Sequence, residues 1–174
     1  MTTSDESRNP TESVSRATID SLVDLRHHLH QIAELSGEER NTAKYVRDFL
    51  KKFHPDELIT GIGGHGLAAV YHGRSRDGAI LLRADLDGLP IPESLKLDHK
   101  STAQNVSHKC GHDGHIAMLA GVAGWLVKQK DRPTDVVLLF QPSEETGQGA
   151  NRVLHDPRFA NITPSLVFAL HNLP

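Results

Sequence analysis

The chain has a single cysteine, Cys110, among its 174 residues, so it cannot close an internal disulfide, and its composition suits a reducing compartment. No stretch approaches the ~20 consecutive apolar residues that span a bilayer. The first seventeen residues are polar and lack the apolar segment of a secretory signal. A strong excess of charge is also missing. The formal net charge of −3 gives no electrostatic reason for nucleic acid or an anionic membrane to bind. These absences together lead us to expect a cytoplasmic protein without nucleic-acid or membrane partners.

Several common site motifs are absent as well. There is no P-loop, and Gly61-Ile62-Gly63-Gly64-His65-Gly66 precedes the strand that a dinucleotide fingerprint must follow. No H-E-x-x-H occurs, and the zinc deaminase pattern needs further cysteines that the chain does not have. What is present is a soluble composition, 37% apolar and 24% charged, in a length that suits one domain or part of a larger one. Histidine is abundant, with twelve residues. His54, His72, His99 and His155 read as surface residues, whereas His112, His115 and His171 sit in more telling places.

Residues 1–16 are polar and without period, which predicts a disordered tail before a domain over 17–174. Apolar residues from Thr18 to about Ile32 recur with helical spacing. Ser36 followed by Glu39 reads as a capping box opening a second helix over Ala43, Val46, Phe49 and Leu50. Gly61 to Gly64 reads as a loop. Leu67–Tyr71 and Ala79–Arg83 are strand-like, and the segment Gly73 to Gly78 that joins them permits an antiparallel hairpin. A helix over 114–130, a strand over Val136–Phe140, a short helix near 149–155 and a strand over Leu166–Leu170 follow. Strands alternating with helices predict an α/β fold with an open mixed sheet and helices on its faces.

That pattern already locates a site. In open α/β sheets, ligands bind beyond the carboxyl ends of the strands. Asp85 and Asp87, Glu144 and Glu145, and His171 all follow strand ends. Cys110-Gly111-His112-Asp113-Gly114-His115 opens the crossover helix on the same rim, where the helix dipole favours a thiolate. Cys110 and His112, two apart, have the softness and spacing of ligands for a borderline metal such as zinc. Adjacent carboxylates suit divided labour, one holding a metal and the other taking a proton from water, without saying which does which. Asp85 or Asp87 could hold a ligand histidine by its second nitrogen, and His115 could contact substrate. A cysteine nucleophile at Cys110 is the competing chemistry, but it has no need of the Glu144-Glu145 pair.

Taken in order, Leu25-Arg26-His27-His28-Leu29-His30 with Glu34-Leu35-Ser36, Gly61 to Gly66, Arg83 to Pro90, Cys110 to His115, Phe140 to Glu145 and His171 to Pro174 resemble one family. It is the amidohydrolase branch of the aminoacylase/carboxypeptidase metallohydrolases, which includes hippurate hydrolases and indole-acetyl-amino-acid hydrolases. The resemblance implies a zinc-exopeptidase-like catalytic domain that hydrolyses the amide of an N-acyl-amino acid through a metal-activated water. It makes Cys110, His112, Glu145 and His171 metal ligands, Glu144 the general base and Asp87 an orienting residue. The implied cofactors are two divalent ions, manganese or zinc, with nickel or cobalt also used in the family.

The departures are specific. Ala33 stands where the family has Pro, and Ser107 and Lys109 flank His108 where it has Met and Ala. Lys109 places a cation beside the site. Family members are about twice as long, and their lid/dimerisation domain and last histidine ligand lie in the additional part. The chain therefore reads as the N-terminal part of such an enzyme, with an inactive metal-binding remnant as the alternative. An exposed apolar patch is expected where missing elements would pack.

Overall fold

A computed structural model describes residues 15–172. The predicted tail therefore lies outside the described residues up to position 14. Ser15 is ordered as the cap of the first helix, its hydroxyl accepting the Thr18 amide at 3.2 Å. The elements are α1 (Arg16–Gln31), α2 (Arg40–Leu50), β1 (Glu57–Ile62), β2 (Gly66–Tyr71), β3 (Ser75–Asp85), α3 (His112–Leu126), β4 (Thr134–Gln141), α4 (Gly149–Leu154) and β5 (Pro164–Ala169). The strands form one mixed sheet in the order β1-β2-β4-β3-β5, as expected of the fold class. β3 runs parallel to both β4 and β5, and β2 runs antiparallel to β1 and β4.

Both faces of the sheet's centre are covered, which is why β2 and β4 read as near-continuous apolar runs. Leu67, Ala69, Tyr71, Leu138 and Phe140 pack with Leu25, Leu29, Val46, Leu50 and Ile116 of α1–α3. On the other face Ala68, Val70, Leu81, Val137 and Leu139 pack with Val153 of α4 and Phe159. No described helix is long and apolar enough to cross a membrane.

Three local expectations fail, each for a physical reason. β2 and β3 do not form a hairpin, because β4 lies between them. Gly73 makes this possible: a Cβ there would meet the Thr134 backbone at 2.3 Å, so only glycine lets β4 enter at that point. Ser36 and Glu39 do not form a capping box. Glu39 occupies the cap position of α2 without a side-chain cap bond, and the carboxylate of Glu34 instead accepts from the Asn41 and Thr42 amides. Finally, Gly61 and Ile62 belong to β1, whose turn into β2 uses Gly63 and Gly64 with positive φ.

Candidate metal centre

Because β3 and β4 are parallel, their carboxyl ends lie side by side, with Asp85 paired to Gln141. The chain leaves β3 through Asp87, which is fully buried. Its carboxylate accepts the Ser36 hydroxyl at 2.6 Å and the backbone amides of Glu144 and Glu145 at 3.1 and 3.0 Å. Ser143, with φ of 54°, turns the chain sharply after β4 and is pinned through its amide to the buried carboxylate of Glu39 at 2.8 Å. Strain of this kind persists where the surroundings over-determine it. Glu39 and Asp87 thus aim the Glu144-Glu145 pair.

On the opposite side Gly111, with φ of 80°, precedes α3. A Cβ there would meet Nδ2 of Asn172 at 2.4 Å, and that amide donates to the Cys110 carbonyl at 3.0 Å. His112 begins the helix, completely buried. Its Nδ1 lies 2.8 Å from the Asp87 carbonyl oxygen. An oxygen of that kind only accepts, so Nδ1 carries the proton and Nε2 presents a lone pair. Nε2 lies 3.1 Å from Nε2 of His171, 3.7 Å from Glu144 and 3.8 Å from Glu145.

Two donor groups result. Ligand atoms of Cys110, His112 and His171 lie within 4.8 Å of one another, and so do those of His112, Glu144 and Glu145. His112 belongs to both. The residues fit a cation on three further grounds. Glu145 Oε1 is buried with no hydrogen-bond partner. Two imidazole nitrogens face each other at hydrogen-bond distance beside two carboxylates. Burial and the nearby carboxylates of Glu145, Glu144 and Asp87 push the Cys110 thiol up to about 12, so a thiolate there calls for a neighbouring cation.

The other singled-out residues divide. His115 is buried, its ring centroid 5.9 Å from that of His112 and 5.4 Å from that of His171, with Nδ1 unpartnered. Asp85 holds no histidine; it pairs with Arg83, and burial raises its carboxyl to about 6. The histidine contact falls to Asp87, through its main-chain carbonyl. Lys109 is paired with Glu93 and offers no free cation to the site. His72, read as a surface residue, is partly buried between Glu57 and Asp135, and His99 stacks on His27 at 3.8 Å. His54 and His155 are exposed as expected.

Sequence reasoning missed a buried ionic bridge behind the cluster. His30 lies between Asp113 (2.9 Å) and Glu93 (2.6 Å), and Arg26 also reaches Asp113. The only signal for it was the Leu25–His30 motif itself, whose partners are more than sixty residues away.

A family model described as peptidase family M20/M25/M40 matches residues 81–174, more than half of the chain. The chain belongs to the M20 family. Among M20 relatives and others similar to it, N-acetyl-L-cysteine deacetylase of Bacillus subtilis is 39% identical over 97% of this chain and 40% of its own length. Hippurate hydrolase of Campylobacter jejuni is 39% identical over 86% of the chain and 39% of its own length. A solved Bacillus subtilis structure, described as a dinuclear metal binding peptidase from the M20 family, superposes with a TM-score of 0.84 at 33% identity. It covers 92% of this chain and 45% of that one. The M20 chain therefore spans about two fifths of the length of the curated relatives it matches.

Proposed function

We propose that this chain carries the metal-binding part of an amidohydrolase that cleaves N-acyl-amino acids. The observation that carries the reading is the convergence of Cys110, His112, His171, Glu144 and Glu145 into two donor groups sharing His112. Cys110, His112, Glu145 and His171 would hold two divalent ions, in keeping with the dinuclear relative; zinc or manganese suits a set of one thiolate, two imidazoles and a carboxylate. Ions so bound supply Lewis acidity, which brings the proton loss of a water toward neutral pH.

The remaining chemistry belongs to the side chains. Glu144 belongs to the donor group it shares with His112 and Glu145, is fixed by its own amide to Asp87, and serves as general base. It takes the proton of the attacking water and hands it to the leaving amine as the amide C–N bond breaks. Asp87 keeps His112 in the tautomer with Nε2 free, so that one buried carboxylate loop orients both base and ligand.

The test is to purify the full chain, count metal per chain, and assay release of amino acid from N-acyl-amino acids with manganese or zinc. Glu144→Gln should keep its metal and lose turnover by about 10²-fold or more. Cys110→Ser should lose metal. Turnover that survives Glu144→Gln overturns the assignment. A second reading, metal binding without turnover, draws on the exposure of His171; metal bound at full occupancy with no amino acid released would establish it.

A further inference from the structure

Two charged residues bracket the ligand segment Cys110-Gly111-His112, and neither belongs to the donor groups. On one side Lys109 is ion-paired with Glu93. On the other Asp113, fully buried in the first turn of α3, accepts from Nε of Arg26 and lies 2.9 Å from Nδ1 of His30. Arg26 and His30 are four apart on α1, so they share one helix face and reach the same carboxylate. Nε2 of His30 lies 2.6 Å from Oε2 of Glu93. An unbroken path therefore runs Lys109–Glu93–His30–Asp113 and closes a ring around the three-residue ligand segment. Its inner members, Glu93, His30 and Asp113, are all buried, so water competes little for their links. The backbone alone does not fix the segment. Gly111, with its φ of 80°, puts the most permissive residue type between Cys110 and His112, so the separation of their donors depends on what holds the two flanks. Among the described residues His30 is the side chain that joins both. Its two acceptors are carboxylates, so both ring nitrogens donate, whereas a glutamine donates from one nitrogen only.

We propose that His30 is the positioning residue of this ligand segment. By holding Asp113 directly and Lys109 through Glu93, it sets the separation at which Cys110 and His112 present sulfur and nitrogen to a divalent cation. α1 is a firm platform for the task, since Leu25 and Leu29 anchor the same helix in the core. A purely structural tie between α1 and the loops would cost stability alone. Charge and positioning also predict opposite signs. Removing His30 or Lys109 takes positive charge away from a cation site, which by Coulomb's law tightens metal binding, whereas lost positioning loosens it. The inference rests on the reading of Cys110 and His112 as metal ligands and not on the choice of substrate.

The probe is cobalt(II) alone, titrated into the metal-free full chain. Cobalt bound by a thiolate gives a near-ultraviolet sulfur-to-metal charge-transfer band, and its visible bands report the coordination geometry. His30→Gln should weaken cobalt about tenfold or more and alter the thiolate band at saturation. Lys109→Met cuts only the Glu93 arm, at a part-exposed position, and should weaken cobalt by a smaller factor. Lys109→Arg keeps a cation for Glu93 and should keep the parent band. Because the first two variants cut one path, the double variant His30→Gln/Lys109→Met should bind within about twofold of His30→Gln alone. Val70→Ala, in the core on the sheet face away from α1, is the reference for lost stability: it should lower Tm and leave cobalt affinity and band unchanged. The proposal is overturned if His30→Gln behaves like Val70→Ala, if either single variant binds cobalt more tightly than the parent, or if their losses add in the double variant. Should His30→Gln not fold, Lys109→Met decides, and an unchanged affinity and band there overturn the proposal. A parent chain that takes up no cobalt overturns the metal-centre reading and this inference together, whereas the other negative outcomes leave that reading standing.

Discussion

Asp87 does more than its place two residues past a strand end suggests. Its carboxylate accepts three donors and its carbonyl a fourth, all from segments that carry candidate metal residues or brace them. Asp87→Asn replaces one accepting oxygen with an amide group that faces N–H and O–H donors. The change should cost about 1–3 kcal/mol of stability and lower metal affinity about 10–100-fold, read by denaturant titration and calorimetry. Unchanged metal affinity would mean that Asp87 only holds the loop together. Asp85 poses the opposite problem: burial, against the pull of Arg83, lifts its carboxyl from 3.8 to about 6. The folded chain then binds that proton more tightly than the unfolded chain does. The resulting stabilisation is full below about pH 4 and is lost as the pH rises through 6. In metal-free protein Asp85→Asn should be more stable than the parent at pH 7.5 by about 1–3 kcal/mol, and the gap should close near pH 4. A gap that is constant with pH would sink the argument. The positions of these residues were legible from strand ends, but the division of labour between Asp85 and Asp87 was not. It depends on which carboxylate meets the amides of a loop nearly sixty residues away.

At the level of elements, legibility tracked the range of the interaction that decides each one. α1, α3 and β4 announce themselves through periodicity and apolar runs that their own packing requires. The cap of α2 was misread because its acceptor sits outside the local window: Glu34 reaches the amides of Asn41 and Thr42 and the Thr42 hydroxyl, while Ser36 is drawn away to Asp87. Glu34→Ala should therefore lower stability by about 1–2 kcal/mol, a Tm loss of roughly 2–4 °C per kcal/mol in a chain of this size. Glu38→Ala, at an exposed position beside it, should leave Tm unchanged in the same melting series. Equal losses would mean that the effect is one of removing negative charge near the helix start and not of the Glu34 cap. The β2–β3 hairpin was misread for a related reason. The insertion of β4 depends on backbone room at Gly73, and that room is visible only once Thr134 is in place.

At the level of the whole molecule, the sheet ends in β5, which hydrogen-bonds β3 on one side and has no further strand on the other among the described residues. Leu166, Val167, Phe168 and Leu170 are all more than half exposed, in agreement with the apolar patch expected from the sequence. The segment Pro164 to Leu170 contains no charge and no proline after its first residue, so nothing in it discourages pairing with another chain. Val167 is the register partner of Leu81, on the face opposite the cavity that Leu82 and Phe168 line. A lysine there places a charge on the open edge without touching the metal cluster. The parent chain should associate with rising concentration, its mass by light scattering growing above the 19.1 kDa of one chain. Val167→Lys should hold it near that mass with its metal content unaltered. If the parent stays monomeric across about two decades of concentration, the β5 edge is not a pairing surface for copies of this chain. If Val167→Lys associates as readily as the parent, association runs through a different face, and the cavity side, with Phe168 and Leu170, becomes the one to mutate next.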